Sequence, residues 1–508
     1  MELKTVGLKS GALNPPVFNN YEMVDEMKKN EAGIGKVKIG LEIHIQLNTD
    51  SKLFCGCPSS GNDAPNSRTC EVCLGMPGSK PVLNRKALEY AAKLCLALKC
   101  KINQKIFFSR KTYFYPDMSK NYQITQYELP LGNDGIIVVD GKNISITRIH
   151  LEEDPAALVH PSGISESSYV LVDYNRSGIP LVEIVTAPEI EGPEEARNFM
   201  KKILSILHYL NVYDDKKCVI KADVNVSVEE SGFARVEIKN ISGFKDIELA
   251  LRAEIRRQRD VLNEGKKIHQ ETRGWDSEHG QTILLRTKET EEDYGYIADP
   301  DLNIIDTTPI MLYISRQIPE LPDEKQKRFG RQYGIREEDA YVLCSEKKLA
   351  DMFENIAKEV DAKLAAKWLR RELIRVLNLY KKEIREISFD ETHLIDLFRL
   401  LQEKKITDAT GQKIMDMLME KLFDVKKYVE EQNLYAVSNI NELEKFCKEA
   451  IAENPQAVAD YKSGKEESLN FIVGSVMKKT HGKAYPVEVK KILMLEITKT
   501  RCSKLSAG

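Results

Sequence analysis

The stretch Val37–Leu47, VKIGLEIHIQL, alternates apolar and polar residues almost perfectly. Apolar residues occupy every odd-numbered position, and polar residues or glycine lie between them. A period of two predicts a β-strand with one buried face, so Glu42, His44 and Gln46 project together from the other face. A carboxylate beside an imidazole is a candidate metal site or acid–base pair, and the alternative is a solvated pair on a half-exposed strand.

Two later stretches, Cys218–Val228 and Ala234–Ile238, repeat this alternation. If they share one antiparallel sheet with the first stretch, the apolar faces pack against helices and the polar faces form a single surface. We call this surface the polar floor. Its predicted side chains are Glu42, His44, Asp223, Asn225, Glu237 and Lys239. Carboxylate, imidazole and amide groups are common metal ligands, so the polar floor is a candidate binding surface.

Other segments have the helical period. Amphipathic helices are predicted over residues 84–100, with Asn84 as N-cap, and over 192–210 and 246–264. After two prolines in IPELPDEKQ (318–326), the pattern is helical to the end of the chain, with a weak break near 425–440.

The sequence therefore predicts an α+β fold. A β-rich domain with a one-sided antiparallel sheet covered by helices is followed by an all-helical domain and a small helical tail domain. The expected parts are a flexible leader over 1–35, the β-rich domain over 36–320, the helical domain over 321–425 and the tail domain over 426–508.

Composition adds few constraints. The 508 residues are 42% hydrophobic and 30% charged with a formal net charge of −3, which gives no overall sign of nucleic-acid or membrane binding. There is no apolar run of about 18 residues and no signal-peptide pattern at the N-terminus. We expect a cytoplasmic protein without a membrane or DNA partner.

Four of the ten cysteines form two close pairs, Cys55 with Cys57 and Cys70 with Cys73. Two such pairs separated by a turn-rich loop are typical of a tetrahedral four-thiolate site, in which Zn²⁺ is the usual ion. Because the protein fills all four positions, this zinc would be structural. The alternative is a loop with four reduced cysteines.

Further carboxylates lie on predicted strands. The acidic run 152–154 ends one strand and needs a cation or solvent to offset its charge, and Glu183 lies in an otherwise apolar strand. These carboxylates, with those of Glu42 and Asp223, offer oxygen ligands, and His44 adds one imidazole. Such a ligand set suits Mg²⁺ or Mn²⁺ better than zinc.

The segment Arg110–Leu131 contains five tyrosines or phenylalanines and three cations, and it shows no helical period. Arg110, Lys111 and Lys120 suit phosphate binding, and aromatic residues between cations suit nucleotide stacking. The alternative is a packed aromatic loop at a sheet edge. With the carboxylates, these residues suggest nucleotide-dependent phosphoryl transfer, although the sequence has neither a P-loop nor a dinucleotide-binding fingerprint.

Long segments resemble the B subunits of tRNA-dependent amidotransferases, from about residue 36 to the C-terminus. In chain order they are VKIGLEIHIQLNTDSKLFC, RKTYFYPDMSKNYQITQYELPL, ITRIHLEEDPA, LVDYNRSGIPLVEIV, KADVNVSV, VEIKNISGF and PELPDEK. The chain is less similar to the related archaeal E subunits, because it has no inserted extra domain.

The resemblance implies a ligase. Such a protein uses ATP and Mg²⁺ to phosphorylate the side-chain carboxylate of Asp-tRNA(Asn) or Glu-tRNA(Gln). Ammonia, released from glutamine by the partner A subunit, then displaces phosphate, and a small C subunit completes a heterotrimer. The β-rich domain would be the cradle that bears the kinase site, and the tail domain would contact the tRNA.

The resemblance also implies roles for single residues. The expected metal ligands are Glu42, His44, Glu152, Glu153 and Glu183. Catalytic roles are implied for Glu42, His44, Glu153, Lys111 and Lys120, and Lys111, Lys120 and, as a weaker candidate, Asp223 would bind ATP. The four cysteines match the zinc-binding form of the family, which some relatives lack. The basic turn KKTHGK (478–483) is an expected tRNA contact, and its alternative is a solvated loop.

Two other functions stay open. The first is a non-catalytic, zinc-stapled tRNA-binding scaffold, although clustered acids are unfavourable on a phosphate-binding surface. The second is a standalone ATP-dependent ligase, which would need a glutaminase or amine site that the sequence does not show.

Overall fold

The structure is a computed structural model that describes residues 35–161, 167–287, 295–437 and 440–502. The predicted flexible leader lies outside the described residues, apart from position 35. The strands, numbered in chain order, are β1 Val37–Gln46, β2 Lys101–Ile102, β3 Lys105–Ile106, β4 Ser109–Thr112, β5 Tyr122–Thr125, β6 Gly132–Val139, β7 Lys142–Glu153, β8 Ala157–Val159, β9 Leu171–Asp173, β10 Pro180–Thr186, β11 Ile220–Val228, β12 Val236–Ile241, β13 Glu271–Asp276, β14 Gln281–Thr287, β15 Gly295–Ala298 and β16 Ile305–Asp306.

The helices are numbered in the same way. They are α1 Arg85–Ala97, α2 Pro193–Leu210, α3 Phe244–Asn263, α4 Thr308–Ile314, α5 Pro322–Tyr333, α6 Glu337–Cys344, α7 Lys347–Ile356, α8 Ala362–Trp368, α9 Ile374–Tyr380, α10 Glu391–Gln402, α11 Asp408–Glu420, α12 Val425–Glu431, α13 Ile440–Glu453, α14 Pro455–Lys462, α15 Glu467–Lys479 and α16 Pro486–Cys502. A π-helical segment, Leu369–Leu373, joins α8 to α9.

A nine-stranded sheet organises the first part of the chain, in the order β14-β13-β12-β11-β1-β10-β7-β6-β2. The central strand is β1, and its neighbours β10 and β11 run antiparallel to it. One pair, β12 with β13, is parallel, which the predicted all-antiparallel sheet did not include. Helix α3 connects these two strands and carries the chain back to the end of the sheet at which β12 begins. Strand β13 therefore runs in the same direction as β12.

The sheet buries one face under helices, as the alternating pattern predicts. Ile39, Leu41, Ile43 and Ile45 of β1 are fully buried in one hydrophobic core. Helix α1 packs on β7, α2 on β6, and α3 on β11. Burying a side chain of this size contributes about 1.5–3 kcal/mol, so this face fixes the orientation of the sheet.

The helices over the sheet begin where the sequence predicts. The Asn84 side chain accepts hydrogen bonds from the amides of Lys86 and Ala87 and caps α1. Helix α2 has a proline and two glutamates in its first turn, which suit its positive end.

The segment Arg110–Leu131, which shows no helical period, contains two short strands. Strands β4 and β5 form a hairpin, and β15 joins β4 to make a three-stranded sheet. The apolar strand predicted around Glu183 forms as β10 and joins the central sheet, whereas the short strand β9 before it pairs with β8. Short-range pattern could not assign these partners, because pairing depends on residues far apart in the chain.

The helical remainder forms two further hydrophobic cores. Phe329, Phe353 and Trp368 lie in the second core, which extends to Leu434 among its partly buried members. The third core begins at Val437. In the described part of the chain, no helix is long and apolar enough to cross a membrane.

Candidate active site

Four polar side chains lie close together on one face at the centre of the sheet. The register places His44 of β1 opposite Glu183 of β10, and Glu183 opposite His150 of β7. Glu152 lies two residues after His150 and therefore shares its face. Directly opposite residues have Cβ atoms about 4.5–5.5 Å apart, so these four side chains meet above the sheet.

The contacts define a compact group, which we call the His44 cluster: His44, Glu152 and Glu183. The Nε2 atom of His44 lies 3.3 Å from Oε2 of Glu183 and 3.5 Å from Oε1 of Glu152. One ligand atom from each of the three residues lies within 4.8 Å of the others. The Nε2 atom of His150 lies 3.6 Å from Glu183 and 3.8 Å from Glu152.

Burial makes the charges of the His44 cluster energetically costly. Glu152 is 5% exposed and Glu183 8% exposed, and two buried carboxylates require a compensating charge. Burial disfavours the charged form of His44, but the hydrogen bond and charge of Glu183, with the charge of Glu152, raise the pKa of His44 to about 10. Burial opposes ionisation of Glu183 as well, but His150, His44 and Arg148 hold its pKa well below its usual range.

The arrangement fits a divalent cation. Two ionised carboxylates and one imidazole are ligands that suit Mg²⁺ or Mn²⁺, and a cation there would replace the proton on His44. Of the five predicted metal ligands, the structure brings together His44, Glu152 and Glu183. It places Glu42 and Glu153 in other contacts.

Glu42 lies one row away on the polar floor. It is opposite Asp223, accepts a hydrogen bond from Nδ2 of Asn225 at 3.0 Å, and lies 3.5 Å from Arg235. Burial, followed by the charge of Glu183, raises its pKa. Asp223 pairs with Lys239 at 3.0 Å. The predicted polar floor is therefore confirmed as a continuous surface of charged and amide side chains across β1, β11 and β12.

Glu153 lies on the other side of β7 from Glu152, because adjacent residues of a strand point to opposite faces. Its carboxylate is 2.5 Å from Nζ of Lys120 and accepts a hydrogen bond from the amide of Ile124 at 2.8 Å. The Lys120 side chain is only 7% exposed. The structure thus joins two predicted site residues into a nearly buried ion pair.

The β4–β5 hairpin connects this pair to the His44 cluster. Lys111 lies on β4, in register with Gln123 of β5 and Tyr296 of β15. The Thr125 hydroxyl at the end of β5 donates to Oε2 of Glu152 at 3.5 Å. Residues from the aromatic and cationic segment therefore border the cluster.

The four predicted cysteines also converge. Their Sγ atoms lie within 4.8 Å of one another, so they can hold a metal ion. Cys73 is the most buried of the four, and its sulfur accepts a hydrogen bond from the amide of Cys70 at 3.1 Å. A hydrogen bond with Cys55, aided by the charge of Lys52, lowers the pKa of the Cys73 thiol to about 5. Four sulfur donors without other ligands fit a structural zinc site.

Sequence reasoning missed several residues of the site. His150 and Arg148 had a usable signal, because they alternate with Ile149 on the same strand as Glu152. Gln46 had no assigned role, but it donates to Oδ2 of Asp154 at 2.7 Å and accepts from the amide of Val219 at 3.1 Å. It therefore links the end of β1 to two neighbouring segments.

The basic turn 478–483 is partly occupied by internal contacts. Lys479 lies 2.7 Å from Glu453, and Nζ of Lys483 donates to the carbonyl of Asn433 at 2.6 Å. Lys478 and His481 are exposed. Two of its four basic groups thus face solvent.

Comparisons with known proteins identify the family of the chain. The family model described as the GatB/GatE catalytic domain matches residues 37–312, and the GatB domain matches residues 351–497. Similar proteins that carry the name of the B subunit of aspartyl/glutamyl-tRNA(Asn/Gln) amidotransferase occur in several organisms. The relative from Carboxydothermus hydrogenoformans is 42% identical over 473 residues, which cover 91% of this chain and 98% of the relative. The relative from Caldanaerobacter subterraneus subsp. tengcongensis is 44% identical, with 91% and 99% covered.

A third relative, from Methanosarcina barkeri, is 43% identical over 488 residues, which cover 91% of this chain and 98% of the relative. As the shared name states, these relatives are single subunits of an amidotransferase. The resemblance seen in the sequence is confirmed. Since the first family match spans more than half of the chain and the relatives are covered over nearly their whole length, the chain belongs to the family of B subunits of the tRNA-dependent amidotransferases.

Proposed function

We propose that this protein uses ATP and Mg²⁺ to activate the side-chain carboxylate of Asp-tRNA(Asn), Glu-tRNA(Gln) or both. The observation that supports this most is the His44 cluster, in which two buried carboxylates and an imidazole converge on the polar face of the central sheet. A surface that only bound tRNA phosphates would gain nothing from buried acids.

The chemistry requires activation because ammonia does not displace an oxide ion from a carboxylate. In the proposed reaction, the carboxylate oxygen attacks the γ-phosphorus of ATP, and the bond to the bridging oxygen breaks with release of ADP. Ammonia then attacks the carbonyl carbon of the acyl phosphate. Inorganic phosphate leaves, and the amide remains on the tRNA.

The side chains have separate parts in this proposal. His44, Glu152 and Glu183 hold the cation, which when bound neutralises charge on the phosphate oxygens. Lys120 is fixed by Glu153, so its ammonium is positioned before the substrate arrives. Lys111 lies on the adjacent strand β4, and Asp223 lies on the neighbouring row of the polar floor.

Partners complete the proposed reaction. Ammonia comes from glutamine at a partner A subunit, and a small C subunit stabilises the assembly. The exposed residues Lys478 and His481 of the basic turn contact the tRNA. A zinc ion at the four cysteines holds the loop and takes no part in the chemistry.

The decisive experiment replaces His44 by alanine in the reconstituted complex. We expect ATP-dependent amide formation to fall by about 10²–10³-fold, since this is the usual cost of removing one electrostatic catalytic group. Glutaminase activity, which belongs to the partner, should survive. His279→Ala is the matched control, because His279 is an exposed histidine on the β13–β14 turn paired with Asp276.

Amide formation at the normal rate by His44→Ala would contradict the proposal. Binding of Mg²⁺-ATP to the complex separates this enzyme from a non-catalytic scaffold, which should bind none. Transamidation assays with both mischarged tRNAs would then show which amino acid is the substrate.

A further inference from the structure

A fully buried lysine lies beside the four cysteines. Lys52 is 0% exposed, and its Nζ donates to the carbonyl of Arg68 at 2.9 Å, to the carbonyl of Tyr174 at 3.2 Å and to Sγ of Cys73 at 3.7 Å. These contacts use all three donors of the ammonium group. Burying such a charge is costly unless an opposite charge lies next to it.

The sulfur of Cys73, which is a thiolate when it binds a metal ion, is the contact of this ammonium that can carry a negative charge. The two other acceptors are neutral carbonyl oxygens, and within the described ranges no carboxylate forms an ion pair with Lys52. Four thiolates around a divalent cation carry a net charge of −2. A cation in contact with one of the sulfurs offsets half of that charge.

The same cysteine is a junction between three segments. Its carbonyl accepts hydrogen bonds from the Ser119 hydroxyl at 2.8 Å and from the Ser177 hydroxyl at 3.3 Å. Lys52 reaches two of the same regions, because Arg68 lies in the cysteine loop and Tyr174 lies in the turn that contains Ser177. Groups that hydrogen-bond to a metal ligand orient that ligand and strengthen metal binding.

We infer that Lys52 is a positioning residue of the four-cysteine site, whose ammonium offsets the charge of the metal tetrathiolate and fixes the position of Cys73. This role is independent of the proposed ATP chemistry. The competing explanation is a lysine that only connects two backbone carbonyls. That lysine would matter equally with and without metal.

The test uses the full chain loaded with zinc. Lys52→Met keeps the length of the apolar stem and removes the charge, and Lys52→Gln keeps N–H donors without the charge. Lys80→Met is the control, because Lys80 is an exposed lysine that lines the cavity beside the cysteines. The measurement is the rate of zinc transfer to a chromogenic chelator, together with the zinc content of each protein.

We expect both Lys52 variants to release zinc about 10–100-fold faster than the wild type, since this is the usual cost of losing an outer partner of a metal ligand. Lys80→Met should release it at the wild-type rate. In protein loaded with Co²⁺, the thiolate-to-cobalt charge-transfer band should shift in the Lys52 variants only.

Thermal denaturation decides between the two explanations. The gap in melting temperature between zinc-loaded and chelator-treated protein should shrink in the Lys52 variants. Equal destabilisation of both forms, failure of both variants to fold in excess zinc, or zinc release at the wild-type rate would each overturn the inference.

Discussion

Gly75 offers a way to displace Lys120 without changing any predicted site residue. Gly75 has a positive φ of +67°, and a Cβ built on it would lie 2.1 Å from Cγ of Lys120. Carbon atoms prefer about 3.5–4.0 Å, so Gly75→Ala must move Lys120 or the loop by about 1.5 Å. The crowded atom is near the root of the lysine side chain, so rotation of its far end does not relieve the contact.

Gly78 is a matched control in the same loop. Its φ is +84°, and a Cβ there would meet no atom within 4 Å. Alanine in this region of φ costs about 1–2 kcal/mol at either glycine, so the backbone penalty is shared. The difference between the two variants therefore reports the displacement of Lys120 from Glu153.

Steady-state amidation of mischarged tRNA by the reconstituted complex measures this effect. A displacement of about 1 Å at a catalytic group can cost about 10²-fold in rate, so kcat of Gly75→Ala should fall by about that factor. Gly78→Ala should stay near the wild-type rate, and neither variant should change the metal content of the four-cysteine site or the glutaminase activity of the complex. Equal kcat values for the two variants would refute a positioned Lys120.

Three further predictions concern stability. In metal-free protein, the pKa of His44 is about 10 against an ordinary 6.5, so its pairing with Glu183 stabilises the fold fully below pH 6.5 and is lost as the pH rises towards 10. The urea midpoint should fall across that window, and His44→Gln should flatten the fall. Gly411→Ala should cost about 1–3 kcal/mol, because its Cβ would lie 2.7 Å from the Trp368 ring. Gly474→Ala, in open space within α15, should gain about 0.5–1 kcal/mol in thermal denaturation.

The local pattern of the sequence determined much of the site. Alternation alone assigned Glu42 and His44 to the polar face of one strand, and cysteine spacing alone predicted a four-sulfur cluster, and the structure confirms both. These features depend on residues close in sequence. Strand periodicity and cysteine spacing are local patterns that can be read without any distant contact.

Only the tertiary structure decided which residues meet. The register of β1, β10 and β7 brings His44 to Glu183 and His150, whereas Glu42 lies one row away. It also separates Glu152, which joins His44, from Glu153, which pairs with Lys120. The pairing of β1 with β10 joins residues more than a hundred positions apart, and that of β10 with β7 joins residues about thirty apart. A shift of one residue in either pairing would exchange the two faces.

The burial of Lys52 could not be predicted from the sequence either. No periodicity distinguishes it from an exposed lysine, and its burial follows from the packing of two loops around Cys73. The sequence by itself thus determined the fold class, the family, the polar face of the central strand and the four cysteines. Tertiary structure alone decided which side chains surround His44, the Lys120–Glu153 pair and the position of the Lys52 ammonium beside Cys73. Each depends on long-range contacts that local sequence does not encode.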